Sequence, residues 1–215
     1  MSRTLSLSSA SGAAAAANAL SARLSAAVEG EGLPAVVVAV ASAYDVLYEG
    51  AFGRPDITRG DPLSLDAIFD IGSMTKPITS LATMMLVEEG RLRLDEEVWR
   101  HLPRFAQPQV ITECDMKAGT YRTRPARQPI TVRHLLTHTS GIGYTFCNPV
   151  LWRLQQGTTK TELDLPLLHE PGERWLYGAG PRVLGQLIET VSGRSLVDFL
   201  SDRVFAPLGM IDTGF

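Results

Sequence analysis

A serine and a lysine three positions apart are the residues of this chain best suited to covalent chemistry. They stand in the segment Ser73-Met-Thr-Lys76, and the other two lysines, Lys117 and Lys160, lie far from it in a chain that otherwise carries arginine. Arginine stays protonated in proteins, whereas a buried lysine can lose its proton. Because a serine nucleophile needs a partner that accepts a proton, the pair suggests acyl transfer through Ser73 with Lys76 as the base.

Helical geometry would bring the two side chains together. Apolar residues at helical spacing predict a helix from Ser73 to Glu89 that ends at Gly90. Pro77 lacks an N–H and must lie in or just after the first turn, so the helix begins near Ser73. Residues three apart share a helix face, and the positive N-terminal end is expected to favour an alkoxide and to lower the pKa of Lys76. The alternative interpretation is a helix cap followed by a surface lysine.

A tyrosine is the third residue with the right chemistry. Tyr177 ends the extended segment Trp175-Leu-Tyr177 and is followed by glycines at 178 and 180. A side chain between such bends can point into a cleft, and its phenol could relay protons if a cationic Lys76 lowers its pKa. The alternative is a tyrosine packed against its own helix.

Composition and charge exclude several other classes of function. The chain is 45% hydrophobic and 20% charged, as is typical of a globular protein. A net charge of −3 gives no electrostatic reason to bind nucleic acid or an anionic membrane, and no apolar run is long enough to span a bilayer. Cys114 and Cys147 lack metal-ligand spacing and favour a reduced protein. Because Ala13–Ala17 is a weak signal sequence, we expect a cytoplasmic location ahead of export.

The sequence predicts three regions. Residues 1–12 form a flexible tail, residues 13–72 an N-terminal helix and hairpin, and residues 73–215 a mainly helical domain that carries the nucleophile. Residues 104–129 are predicted to be a loop across the surface, and residues 142–172 to be irregular. The remaining predictions are helices over 13–29, 132–137, 181–191 and 195–204, a helical piece between Asp95 and Pro103, and paired strands over 35–41 and 46–52.

Four sequence blocks in a fixed order carry a family resemblance. They are Ser73-Met-Thr-Lys76, Pro129-Ile-Thr-Val-Arg-His-Leu-Leu-Thr-His-Thr-Ser-Gly141, Glu170-Pro-Gly-Glu-Arg-Trp-Leu-Tyr177 and Pro207-Leu-Gly-Met-Ile-Asp-Thr213. From about Leu33 onward the chain resembles the class C β-lactamase-like serine hydrolase superfamily, and within it most closely the family VIII carboxylesterases. The resemblance implies an α/β (α+β) fold of the β-lactamase/penicillin-binding-protein type, with an antiparallel sheet flanked by helices and a helical region.

The same resemblance implies roles for the three candidate residues. It assigns the nucleophile to Ser73, the base to Lys76 and a shared part in proton transfer to Tyr177. It also implies an acyl-enzyme intermediate, no metal, no cofactor, and an oxyanion hole made by the N–H of the nucleophile and one N–H of a later strand.

The block that ends at Gly141 is expected to be structural. Arg133, His134, His138 and Ser140 are interpreted as residues that hold a helix and a turn beside the cleft. No carboxylate lies near enough in sequence to suggest a catalytic triad around either histidine.

Two departures from the family pattern shape the functional prediction. β-Lactamases of this type carry Tyr-x-Asn, whereas this chain has Tyr177-Gly-Ala179, which disfavours lactam hydrolysis. The family also continues for about as much sequence again, and Val36–Val40 is too apolar for an exposed sheet edge. We therefore expect a second polypeptide, or a further C-terminal segment, to complete the fold of which this chain is the N-terminal part.

The preferred function is a carboxylesterase that cleaves small to medium esters through an acyl-serine intermediate. The first alternative is a β-lactamase, a D-amino-acid peptidase or an acyltransferase on the same fold. The second is a non-catalytic subunit of a split assembly.

Overall fold

The computed structural model describes residues 10–30, 32–56 and 60–215. Two compact units share these residues, one up to residue 70 and one from residue 71 to 215. Of the predicted tail, residues 1–9 lie outside the described residues, and residues 10–12 already belong to the first helix. None of the described helices combines the length and the apolar character that crossing a membrane requires.

Six α-helices and four β-strands are described. The helices are α1 (Ala10–Gly30), α2 (Thr75–Glu88), α3 (Val132–Leu136), α4 (Pro149–Gln155), α5 (Gly180–Ser192) and α6 (Leu196–Leu200). The strands are β1 (Ala35–Ala41), β2 (Val46–Gly53), β3 (Gln109–Asp115) and β4 (Thr120–Pro125). Short 3₁₀ turns lie between them, and a π-helical turn, Ser201–Phe205, follows α6.

The first unit is an antiparallel hairpin with a helix against it. Strands β1 and β2 pair with Ala35 opposite Gly53 and Val40 opposite Tyr48, so the hairpin predicted from sequence is confirmed. Helix α1 contacts this hairpin, and the Ser21 hydroxyl lies 2.8 Å from the Tyr48 hydroxyl. Both strands are rich in β-branched and aromatic residues, which suit a pleated, half-buried surface.

The core of the second unit is helical. Helix α5 buries Val183, Leu184, Leu187 and Ile188 completely, at the spacing of one helix face. Its first turn contains proline, and Gly193 ends it in the left-handed conformation with φ of 72°, as the sequence predicted. The other fully buried large side chains of this core include Leu86, Leu92, Ile130, Leu135, Phe199 and Leu200.

The predicted surface loop over residues 104–129 is wrong. Its middle forms a second antiparallel hairpin, in which β3 pairs with β4 and Val110 is buried. The Asp115 carboxylate accepts hydrogen bonds from the N–H groups of Lys117 and Ala118, and this short-range turn closes the hairpin. The prolines at 108 and 125 stand at strand ends, where they interrupt little of the ladder.

Two smaller predictions also need correction. The helical piece expected between Asp95 and Pro103 is only a 3₁₀ turn, Val98–Arg100, followed by another at Pro103–Phe105. The region 142–172, expected to be irregular, contains helix α4, which begins because the Asn148 side chain accepts the N–H groups of Val150 and Leu151.

Candidate active site

Ser73 lies in a tight turn that leads into helix α2. Gly72 adopts a positive φ of 47°, and Gly72–Met74 forms a 3₁₀ turn immediately before the helix starts at Thr75. The helix therefore begins two residues later than predicted, and Lys76 is its second residue. The Nζ atom of Lys76 donates a 2.8 Å hydrogen bond to the Oγ atom of Ser73.

Tyr177 reaches the same oxygen from the segment before helix α5. Its hydroxyl donates a 2.9 Å hydrogen bond to Oγ of Ser73, so the structure brings all three predicted site residues together. Gly178 is needed for this placement, because a Cβ atom there would lie 1.8 Å from the carbonyl oxygen of Ile142. The close approach of these two backbones sets the position of Tyr177 relative to Ser73.

The pKa values of Lys76 and Tyr177 shift in opposite directions. Burial alone lowers the pKa of Lys76, but the hydrogen bond and charge interactions with Tyr177 and Tyr144 more than offset it, so the pKa is raised. The pKa of Tyr177 is lowered, chiefly by its hydrogen bond with Lys76 and then by that with Ser73. The expectation of a lowered lysine pKa is therefore wrong, because it omitted the two phenols. With a raised pKa, Lys76 is a cation at neutral pH, and this positive charge lies beside the Tyr177 phenol.

Tyr144 is a site residue that the sequence analysis missed. It is buried, and its ring centroid lies 5.4 Å from Nζ of Lys76, with the Tyr177 ring centroid 4.8 Å from the same atom. The two tyrosine rings are themselves 5.5 Å apart. Two aromatic rings thus stabilise the ammonium group by cation–π attraction. Tyr144 lies three residues after Gly141, where the second sequence block ends, and this position was the sequence signal that could have identified it.

Most of the block before Gly141 has the structural role that was expected. Thr131 caps α3 by accepting the N–H of His134, whose Nδ1 accepts the N–H of Thr131 in return. Arg133 binds the Asp95 carboxylate at 2.8 Å, and the buried Ser140 hydroxyl accepts the N–H of Ile142.

His138 departs from that expectation because it touches the site. Its ring centroid lies 5.1 Å from that of Tyr177 and 6.2 Å from that of Trp175. Burial and the charge of Lys76 lower its pKa, so it is a neutral imidazole beside the lysine cation.

A cleft of about 340 Å³ opens beside the lysine between helices α2 and α5. Small and apolar residues make up much of its wall, together with Lys76 and Tyr144. The lining also includes Gly72, Thr75, Thr79, Pro181, Arg182, Gly185, Gln186, Glu189 and Leu196.

Ala179 stands where the lactamase pattern has asparagine. It is completely buried in the core, and its methyl group offers no hydrogen bond to a substrate.

Comparison with known proteins gives related sequences and related structures. A lovastatin esterase of Penicillium rubens is 35% identical over 193 residues, which are 84% of this chain and 48% of the esterase. The unliganded structure of simvastatin synthase (LovD) from Aspergillus terreus matches with a TM-score of 0.78 and 33% identity, over 90% of this chain and 53% of that one. The structure of EstCE1, a hydrolase with promiscuous acyltransferase activity, matches with a TM-score of 0.70 and 27% identity, over 92% of this chain and 51% of EstCE1.

The chain spans about half the length of these relatives. Its mixture of helices and antiparallel strands is the β-lactamase-like fold. Residues 20–215 match the family described as Beta-lactamase. On this match and these relatives, the chain belongs to the beta-lactamase family.

Proposed function

We propose that the protein is a serine carboxylesterase that cleaves small to medium esters through an acyl intermediate on Ser73. One observation carries the proposal: Oγ of Ser73 accepts hydrogen bonds from Lys76 at 2.8 Å and from Tyr177 at 2.9 Å. A hydroxyl bound to a lysine cation and to a phenol of lowered pKa has a positive charge beside it and, once the phenol ionises, a proton acceptor. This is the arrangement that activates a serine nucleophile.

The opposite pKa shifts support one route for the proton transfers. With Tyr177 ionised, its phenolate accepts the Ser73 proton as Oγ bonds to the ester carbonyl carbon. The phenol then gives that proton to the leaving alcohol as the carbon–alcohol bond breaks. In the second half-reaction water attacks the acyl carbon and loses a proton to Tyr177. The bond from that carbon to Oγ then breaks, the acid is released, and the phenol returns the proton to Oγ of Ser73. Lys76 stays cationic throughout. Its charge stabilises negative charge on Oγ of Ser73 and on the phenolate oxygen of Tyr177.

The preference for esters over lactams rests on the missing asparagine. The buried Ala179 cannot donate or accept a hydrogen bond with its side chain, and a site that lacks such a partner loses affinity for a polar lactam substituent. The lovastatin esterase relative agrees with ester chemistry, and the motif pattern favours the family VIII carboxylesterases within the superfamily.

Acyl transfer to an alcohol is the second candidate function. EstCE1 combines hydrolysis with promiscuous acyltransferase activity, and Ser73 of this chain is exposed, so either water or an alcohol could reach an acyl group on it. Adding a primary alcohol to the ester assay would separate the two. A transferase would convert the ester to the new ester with little free acid, whereas a hydrolase would give mainly acid.

We also propose that further polypeptide completes the sheet of the first unit. Among the described residues, β1 and β2 pair only with each other, and Val40, Val46 and Leu47 are exposed. A two-stranded hairpin is marginal in water unless further strands or a helix cover its apolar side chains, and α1 leaves these three exposed. The intact mass of the natural protein would reveal further sequence. If residues 1–215 purify alone as a cooperatively melting, active monomer, this proposal fails.

The test of the enzymatic function is covalent labelling of Ser73 in the natural protein. We expect a fluorophosphonate to label the wild type and not Ser73→Ala, and we expect turnover of a p-nitrophenyl ester well above that of a chromogenic cephalosporin. Dominant cephalosporin turnover would favour the lactamase alternative. Failure to label an intact Ser73 would favour a non-catalytic subunit and overturn the proposal.

A further inference from the structure

His138 has an unusual backbone conformation. Among the described residues it is the one residue other than glycine with a positive φ, at 56°. A residue with a Cβ atom pays a steric penalty in this left-handed region, and such penalties persist where the surrounding structure or the function requires them. The contacts that His138 makes in this conformation are therefore expected to offset the steric cost.

Those contacts hold the residues on both sides of Tyr177. The N–H of Leu176 donates a 2.8 Å hydrogen bond to the carbonyl oxygen of His138. The N–H of Gly178 donates a longer one, 3.4 Å, to Nδ1 of the His138 ring. One histidine thus binds the backbone immediately before and immediately after the tyrosine.

The imidazole ring also supports the phenol directly. Its centroid lies 5.1 Å from that of Tyr177, and the two planes are inclined by 40°. Tyr144 also packs against Tyr177, with 5.5 Å between ring centroids. Two rings therefore contact the phenol, and its hydroxyl donates a hydrogen bond to Ser73.

From these contacts we propose that His138 is a positioning residue, which holds Tyr177 at hydrogen-bonding distance from Ser73. The inference rests on the proposed function of the site. His138 can do this only as a neutral ring with its proton on Nε2, because Nδ1 accepts the N–H of Gly178. The titratable groups that face the ring are Lys76 and Tyr177, and the lysine charge opposes protonation of the histidine.

Replacement of His138 by glycine is the most informative test. Glycine adopts a positive φ without steric penalty, which offsets part of the packing and chain entropy lost with the ring, so the natural protein carrying His138→Gly should still fold. It lacks the ring and its acceptor, so Tyr177 should lose its alignment. We expect kcat for the ester and the rate of fluorophosphonate labelling at Ser73 to fall by about 10- to 100-fold, with KM nearly unchanged.

Two further variants separate positioning from folding. His138→Asn tolerates the left-handed conformation and offers a side-chain oxygen to Gly178, so it should recover most of the rate. His134→Ala is the matched control in the same helix region, because it removes a partner of the Thr131 cap and should reduce stability without slowing the folded enzyme.

An ultraviolet titration of Tyr177, taken as the difference from Tyr177→Phe, gives a readout that needs no activity. His138→Gly should raise the tyrosine pKa, because the phenol moves away from Lys76. Wild-type labelling and an unchanged Tyr177 titration in His138→Gly would overturn the inference while leaving the proposed function intact. A wild type that cannot be labelled would overturn the proposed function, and the titration would still test whether His138 positions Tyr177.

Discussion

Tyr177 donates a hydrogen bond to Ser73 across 104 positions of sequence. The contact exists because the backbone at Gly178 passes directly over that of Ile142, while Ser73 projects from the turn before α2. Both residues belong to the second unit, whose helical core fixes α2 and α5 against each other. The hydrogen bond from Tyr177 to Ser73 thus depends on tertiary packing, so changes in that packing should alter the rate of any reaction at Ser73.

Replacing Tyr177 by phenylalanine should abolish proton transfer and keep the packing. The ring would still pack against His138 and Tyr144, so the free energy of unfolding should change by less than about 0.5 kcal/mol. Loss of the phenol should lower kcat/KM for a p-nitrophenyl ester by about 10²- to 10⁴-fold. Steady-state kinetics with a parallel thermal melt would check both. A variant with near-normal kcat/KM would exclude Tyr177 as the proton acceptor.

The pH profile should report the coupled lysine and tyrosine. Because the pKa of Tyr177 is lowered, kcat/KM should rise as pH increases through a value below the ordinary tyrosine pKa of about 10. Because the pKa of Lys76 is raised, the cation should persist to high pH, and activity should fall only as pH increases through that higher value.

Substitution of Lys76 tests the direction in which the lysine charge shifts the pKa of Tyr177. Removing the cation destabilises the phenolate, so Lys76→Ala should move the rising limb of the profile to higher pH as well as reduce the rate. Lys76→Arg, which keeps the positive charge, should leave that limb closer to its wild-type position. A rising limb that Lys76→Ala leaves in place would contradict the assignment of Tyr177 as the titrating base.

Gly178→Ala should damage stability and activity together. The new Cβ would lie 1.8 Å from the backbone oxygen of Ile142, so one of the two segments must move. We expect a loss of about 1–3 kcal/mol in the free energy of unfolding and a larger than proportional loss of ester turnover. Gly214→Ala, where nothing lies within 4 Å of the new atom, is the control and should be neutral. Full activity of Gly178→Ala would show that the close backbone approach is dispensable.

Thr131→Ala should cost stability alone. The threonine hydroxyl accepts the N–H of His134 at the start of α3, and loss of an N-cap costs about 0.5–2 kcal/mol. Thr131→Ser keeps the cap and should restore most of the difference in a denaturant titration. The rate of Ser73 labelling in the folded protein should be the same in all three. Slower labelling of Ser73 in a fully folded Thr131→Ala would contradict this prediction, because it would show that the cap also positions the site.

Short-range signals made much of this architecture predictable. The proline at the start of α5 and Gly193 after its end predicted the bounds of that helix, and the valine-rich run predicted strand β1. The Ser73–Lys76 pair was predictable because their separation of three residues is a local property of a helical turn. The place of Tyr177 in the site followed from the family resemblance, since no local pattern relates it to Ser73.

The misses have different physical causes. The hairpin of β3 and β4 is mostly polar and exposed, so it lacks the alternation that reveals a half-buried strand, and its turn depends on one carboxylate, that of Asp115. The pKa of Lys76 could not be predicted from its own helix, because the rings that reverse the shift come from Tyr144 and Tyr177. Only the error on Lys76 arose because partners distant in sequence decide the outcome.

Peptide mapping of the acylated protein tests the central claim most directly. The natural protein would be mixed with a p-nitrophenyl ester, quenched in acid during turnover, digested and analysed by mass spectrometry. We predict that the acyl group is found on the peptide containing Ser73, and that it is absent from Ser73→Ala. Ester hydrolysis with the acyl group on a different residue, or with equal turnover by Ser73→Ala, would contradict the account.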